Sequence, residues 1–232
     1  MNNSQPDKKA LKVYFFGDSI CFGQLVSPHK TWINLISVDL EKIGIDSKFD
    51  IIINNPSING CTTRQALERM PYDIQSHCPE VLLVQFGMND CNYWESDHGN
   101  PRVSPDAFAA NMKEIITRAK TFGAQEIIVD TNHISGRTNI KMPYTQITYQ
   151  DSNAKYNELI RLVIQKDDPC VNLVDIEKIM FDAIDGDIRK AARFLLPDMI
   201  HLNETGHKFY YQQVLPVLKQ AVLKCIKRKN SE

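Results

Sequence analysis

The 232-residue chain is predicted to be an α/β protein with a parallel sheet. Three observations carry that expectation. Short continuous runs of Val, Ile, Leu and Phe suit strands buried on both faces, amphipathic helical stretches lie between them, and Gly, Pro or polar clusters mark the junctions. Hydrophobic residues make up 43% and charged residues 24%, an ordinary globular balance. The formal charge of −1 excludes the basic footprint of a nucleic-acid or anionic-surface binder. A domain of this length buries roughly 70% of its unfolded surface. No repeat or linker interrupts it, so one domain over 1–232 is expected, with 1–10 a flexible polar tail.

The elements follow in order. Strands are expected at Lys12 to Phe16, Lys48 to Ile53, Glu80 to Phe86, Gln125 to Asp130 and Val171 to Val174, each short and rich in Val, Ile or Phe. A helix from about Pro28 to Ile43 should stop at Gly44, and another should open with Ser104 as N-cap and Pro105 at its first position, ending at Gly123. A third runs from about Thr148 to Gln165. The last spans Glu204 to Lys227, with Tyr211, Leu215, Leu218, Val222 and Ile226 as its core stripe. Pro216 should kink or split it, because proline removes a backbone donor.

In an open parallel sheet the ligand crevice lies beyond the carboxyl ends of the strands, so chemistry is sought in the loops that follow them. The first such loop is Gly17-Asp18-Ser19, and far along the chain stands Asp198-Met199-Ile200-His201. A serine hydroxyl needs a base to take its proton and a third group to fix that base's tautomer. Ser19, His201 and Asp198 supply all three, and a spacing of three lets one turn bring carboxylate and imidazole together. This chemistry needs no metal or cofactor. Acid should silence it, since a protonated imidazole cannot act as base.

Two further loops, Asn54 to Gly60 and Gly87-Met88-Asn89-Asp90, complete four blocks in which the chain resembles the SGNH hydrolases, also called the GDSL esterase and lipase family. The resemblance covers about Leu11 to His207, with Ile20 where leucine is usual and Leu202 where proline is frequent. It implies a three-layer α/β/α sandwich whose five-stranded sheet has flavodoxin-like order. It also implies Ser19 as nucleophile, His201 as base oriented by Asp198, and an oxyanion hole formed by Ser19, Gly60 and Asn89. The residue types suit those roles. Glycine lets backbone approach closely, and an asparagine amide donates without titrating.

Singly, each residue has a commoner explanation: Ser19 as a helix cap, Gly60 as a turn residue, Asn89 in an Asx turn, His201 as a hydrogen-bonded surface histidine. Their shared order and strand-end placement argue for a site. Asp18, Asp90, Trp94 and His133 are candidate substrate contacts, with Asn132 a further residue for the crevice wall. The segment from Gly87 to Ser104 is long enough to form a lid, or else to be anchored by Trp94 against the core. Cys21, Cys61 and Cys91 are expected to pack as small buried hydrophobes, since no C-x-x-C pair or zinc-ligand spacing accompanies them.

The expected substrate is a small-molecule ester with a short acyl or O-acetyl group, on a sugar or similar alcohol. A thioesterase, lysophospholipase or acyltransferase would use the same residues, and a noncatalytic ligand-binding module is the alternative from another class. No nucleic-acid partner and no membrane insertion are expected. The polar start and the scattered cysteines give a cytoplasmic expectation.

Overall fold

The computed structural model describes residues 9–164 and 168–231. Five parallel strands form one sheet: β1 (Lys9–Gly17), β2 (Phe49–Asn54), β3 (Val81–Gln85), β4 (Glu126–Asp130) and β5 (Val171–Val174). Their order is β2-β1-β3-β4-β5, the flavodoxin-like order expected. The register sets Gly17 beside Gln85 and Asp130 beside Val174, so the loops after β1, β3 and β4 emerge at one edge. The three inner strands are almost wholly buried, whereas β2 alternates and β5 is only partly covered. Inner strands therefore read as unbroken apolar runs because helices cover both of their faces.

Among the described residues seven α-helices accompany the sheet: α1 (Ser19–Phe22), α2 (Trp32–Ser47), α3 (Thr63–Met70), α4 (Pro105–Thr121), α5 (Tyr149–Val163), α6 (Ile176–Ala183) and α7 (Glu204–Ser231). One layer is built from α2 and α7, which pack on each other, and the other from the neighbouring series α3, α4 and α5. Trp32, Phe15, Tyr210, Phe16 and Phe86 fill the centre in edge-to-face and tilted pairs. Among the described residues no helix is long and apolar enough to cross a membrane.

Several boundaries differ from expectation for identifiable reasons. Lys9 and Ala10 are not tail but strand, paired with Phe49 and Asp50, while 1–8 lie outside the described residues. Gly44 does not stop α2. A Cβ there would meet the Phe49 carbonyl at 2.9 Å, so the glycine serves close packing on β2, and Lys48 in a left-handed conformation ends the helix. The Pro28–Lys30 segment is a separate 3₁₀ turn. Gln165, the expected end of α5, lies outside the described residues.

Pro216 does not split α7, which runs unbroken past it with the proline on the exposed side. The buried stripe includes Tyr210, Val214, Leu218, Ala221, Val222, Cys225 and Ile226, leaving Tyr211 and Leu215 at its margin. At the amino edge of the sheet the fully buried Glu126 accepts from Lys224 Nζ at 3.2 Å and Arg228 Nη2 at 2.8 Å. Such a carboxylate is tolerable inside only with its charge paired. Lys229 pairs with Glu80 beside it.

Candidate active site

Local sequence sets the serine at a sharp strand-to-helix turn. A Cβ on Gly17 would lie 2.6 Å from Cys21 Sγ and 2.8 Å from the Gln85 carbonyl, so only glycine fits where β1 passes into α1. Asp18 caps α1 by accepting from the Ile20 N–H at 2.9 Å, and Ser19 follows with 5% of its surface exposed.

His201 comes to it from 182 positions away. Ser19 Oγ and His201 Nε2 are 2.9 Å apart, and His201 Nδ1 lies 2.5 Å from Asp198 Oδ2. The turn that joins carboxylate to imidazole is not helical. Asp198 Oδ1 accepts from the Ile200 and His201 N–H groups at 2.9 and 3.0 Å, while Met199 takes a left-handed φ of 62°. Burial would raise the Asp198 carboxyl, but the hydrogen bonds from the imidazole and these two amides outweigh it and hold it below the usual carboxylate range. The anion is thus kept ready to steady an imidazolium.

The expected anion-stabilising residues gather at the same turn. Asn89 Nδ2 donates to Asp18 Oδ2 at 3.2 Å, which leaves its second hydrogen unused by that bond. Gly60 has a φ of 76°, a left-handed conformation open to glycine at little cost, and a Cβ there would meet nothing within 4 Å. Arg102 joins the two: its Nη1 donates to the Gly60 carbonyl at 3.2 Å and to Asn89 Oδ1 at 3.4 Å.

Three expected substrate contacts are corrected. Asp18, Asp90 and His133 are all fully buried and face protein. Asp90 Oδ1 accepts from the N–H and hydroxyl of Thr63 at 2.9 and 2.5 Å, tying the start of α3 to the loop after β3. Burial pushes its carboxyl up to about 6, and that of Asp18 up to about 7. His133 sits behind the Asp198 to His201 turn, with Nδ1 2.8 Å from the Tyr210 hydroxyl and Nε2 2.7 Å from the Ile200 carbonyl. Burial draws it down to about 4, so it stays neutral. Asn132 is likewise buried, accepting from Gln85 Nε2 at 2.8 Å.

Trp94 is half-exposed and is not anchored in the core; the Arg102 guanidinium lies 4.1 Å over its ring. It lines a groove of about 770 Å³ together with Tyr93, Arg137, Met142, Tyr149 and Met199, and the groove reaches Asp198. The loop that bears Trp94 is held from below by α5. Tyr149 Oη donates to the Met88 carbonyl at 2.5 Å, Ser152 Oγ to the Cys91 carbonyl at 2.8 Å, and the Tyr156 hydroxyl to the Val103 carbonyl. Cys21, Cys61 and Cys91 are buried free thiols, each raised by burial, as their packing role requires.

Sequence reasoning missed Arg102. It lies in an irregular stretch where no periodicity or motif marks it, and its only sequence signal is a cation closing the long loop before the Ser104 cap.

Comparisons with known proteins give the family and the fold. A model of the GDSL-like lipase/acylhydrolase family matches residues 15–209. An arylesterase of Vibrio mimicus is 28% identical over 118 residues, which are 51% of this chain and 53% of that protein. The chain thus spans about half the length of the curated relatives it matches. Among solved structures, a lipase/acylhydrolase from Enterococcus faecalis aligns with a TM-score of 0.69 at 21% identity, over 90% of this chain and 96% of that one. An acetylxylan esterase from Geobacillus stearothermophilus aligns at 0.68 and 18% identity, over 91% and 95%.

Proposed function

Because the chain belongs to the GDSL-like lipase/acylhydrolase family, we propose that it hydrolyses carboxylic esters through an acyl-enzyme on Ser19. The observation that carries this reading is the continuous chain of contacts from Ser19 Oγ to His201 Nε2 at 2.9 Å and from His201 Nδ1 to Asp198 Oδ2 at 2.5 Å. As Ser19 Oγ bonds to the acyl carbon, its proton passes to His201 Nε2 and the carbonyl electron pair moves onto oxygen. That oxyanion is met by the Ser19 and Gly60 N–H groups and the free hydrogen of Asn89 Nδ2. When it collapses, the ester C–O bond breaks and His201 returns the proton to the departing alcohol. Water then adds to the acyl-enzyme with the same base, releasing the acid and restoring Ser19.

A short acyl group on a sugar or other small alcohol is the substrate we favour. The groove beside Asp198 combines aromatic surface from Tyr93 and Trp94 with the polar Asn92 and Asn139, a pairing that suits a hydroxylated ring better than a long alkyl chain. The test is covalent labelling with a fluorophosphonate, followed by rates on p-nitrophenyl acetate, longer acyl esters and acetylated sugars. Labelling should fall on Ser19, vanish in Ser19→Ala and slow sharply in His201→Ala, with acetyl esters turned over fastest. A native chain that neither labels nor turns over any ester would be a binding module instead.

A further inference from the structure

A half-buried guanidinium with no carboxylate bound to it needs a reason. Among the described residues Arg102 forms no ion pair. Its Nη1 donates to the Gly60 carbonyl and to Asn89 Oδ1, and its Cζ lies 4.1 Å over the Trp94 ring. Both oxygens belong to residues that supply the oxyanion donors outside Ser19 in the function proposed above.

We infer that Arg102 is a positioning residue of the oxyanion hole, orienting the Asn89 carboxamide and pinning the Gly60 turn so that their N–H groups face the developing charge. The inference rests on that proposed function. Its logic is a two-sided clamp on one amide. Asp18 Oδ2 accepts from Asn89 Nδ2 at 3.2 Å on one side, and Arg102 donates to Asn89 Oδ1 at 3.4 Å on the other. With the amide flipped, its NH₂ would face the guanidinium, donor against donor, and its oxygen would face the Asp18 oxygen, a repulsive contact whenever that carboxyl is ionised. The clamp therefore selects the orientation in which one Nδ2 hydrogen remains for the substrate. A cation at the amide oxygen also draws electron density from the nitrogen, which makes the remaining N–H a better donor.

The Gly60 contact works through the backbone. A glycine at φ 76° whose absent Cβ faces open space has little side-chain packing to hold it, and a hydrogen bond to its carbonyl restrains the turn. Trp94 completes the device from the other face. The loop that bears it also contributes the groove wall, so the preparation of the hole and the shape of the substrate site share one stack.

The test uses the full chain and neutral p-nitrophenyl acetate, which offers Arg102 no anion to bind. Arg102→Met is expected to lower kcat about 10- to 100-fold with KM changed less than about threefold, a part of the roughly 100- to 1,000-fold that losing a whole donor costs. Arg102→Lys keeps the charge without the fork and should recover part of the loss. In Asn89→Ala the further change Arg102→Met should cost clearly less than it does in the wild-type chain, because only the Gly60 turn remains for the guanidinium to hold. The Asn89 side-chain amide resonances should move in Arg102→Met and in Arg102→Lys. A raised KM at unchanged kcat would make Arg102 a substrate contact, and effects that multiply fully with those of Asn89→Ala would make it independent of the amide; either overturns the inference. If Arg102→Met does not fold, Arg102→Lys and its amide resonances decide alone, unmoved signals at full kcat overturning it. A wild-type chain that fails to label at Ser19 instead overturns the proposed function itself.

Discussion

At the scale of single residues, the proposed chemistry depends on donors fixed before charge appears. Asn89→Ala should lower kcat about 100- to 1,000-fold while moving KM far less, because the amide is used fully only in the transition state; steady-state kinetics on a neutral acetyl ester checks it. Ser19, Asp198, His201 and Asn89 are legible in the sequence because each follows a strand or closes a recognisable turn, and the structure links the first three and sets Asn89 on Asp18, the residue before the serine. Asp18, Asp90 and His133 were misread as substrate contacts. A polar side chain beside a catalytic one looks the same in sequence whether it faces solvent or protein, and here all three are spent internally on Ile20 and Asn89, on Thr63, and on Tyr210 and Ile200. Arg102 escaped notice for the opposite reason, since its partners are a carbonyl and an amide oxygen distant in sequence.

At the scale of elements, inner strands announce themselves because they are apolar throughout, while edges and helix ends are decided by tertiary contacts. Gly44 could not be recognised as a packing glycine without the β2 carbonyl it lies against, so the end of α2 was placed early. Pro216 is the sharper case. The helix tolerates it on the solvent side because the burial of Val214 and Leu218 around it outweighs one missing donor. Pro216→Ala should therefore stabilise the protein, by about 1–3 kcal/mol, restoring a hydrogen bond and a better helix former. Thermal unfolding should show a Tm several degrees higher with activity unchanged. Gly206→Ala should act in the other direction, because a Cβ there would stand 2.2 Å from the Phe194 carbonyl where α7 begins. A cost of about 1–3 kcal/mol is expected for such crowding, read as a lower Tm in the same experiment.

At the scale of the whole molecule, buried titratable groups set how stability responds to acid. His133 and His207 are both drawn down to about 4 by burial, against about 6.5 in an unfolded chain. Between those values the unfolded state binds the extra protons, so their contribution is complete above about pH 6.5 and is lost as pH falls toward 4. Asp18 and Asp90 oppose this. Burial lifts them to about 7 and about 6, so the native state gains protons first and is favoured as pH drops below 7. Asp130, also raised well above the usual carboxylate range by burial, adds to them, so stability should not fall between about pH 6.5 and 4. Histidine C2–H resonances that stay in the neutral form to about pH 4 for His133 and His207 check the first half, and an unfolding midpoint that does not drop across that window checks the balance. The long α7 reaches across this framework: 28 residues at 1.5 Å each make a rod of about 42 Å. It starts just after the turn that carries His201 and finishes where Arg228 and Lys229 grip Glu126 and Glu80. The rod is moored along its whole length: Lys30 pairs with Glu204 and the Trp32 N–H donates to His207 Nδ1 at 3.3 Å near its start, Val214 and Leu218 are buried at its middle, and Arg228 and Lys229 hold its end. Trimming or tagging the last turns should therefore lower the Tm while the upstream anchors keep His201 in register with Ser19.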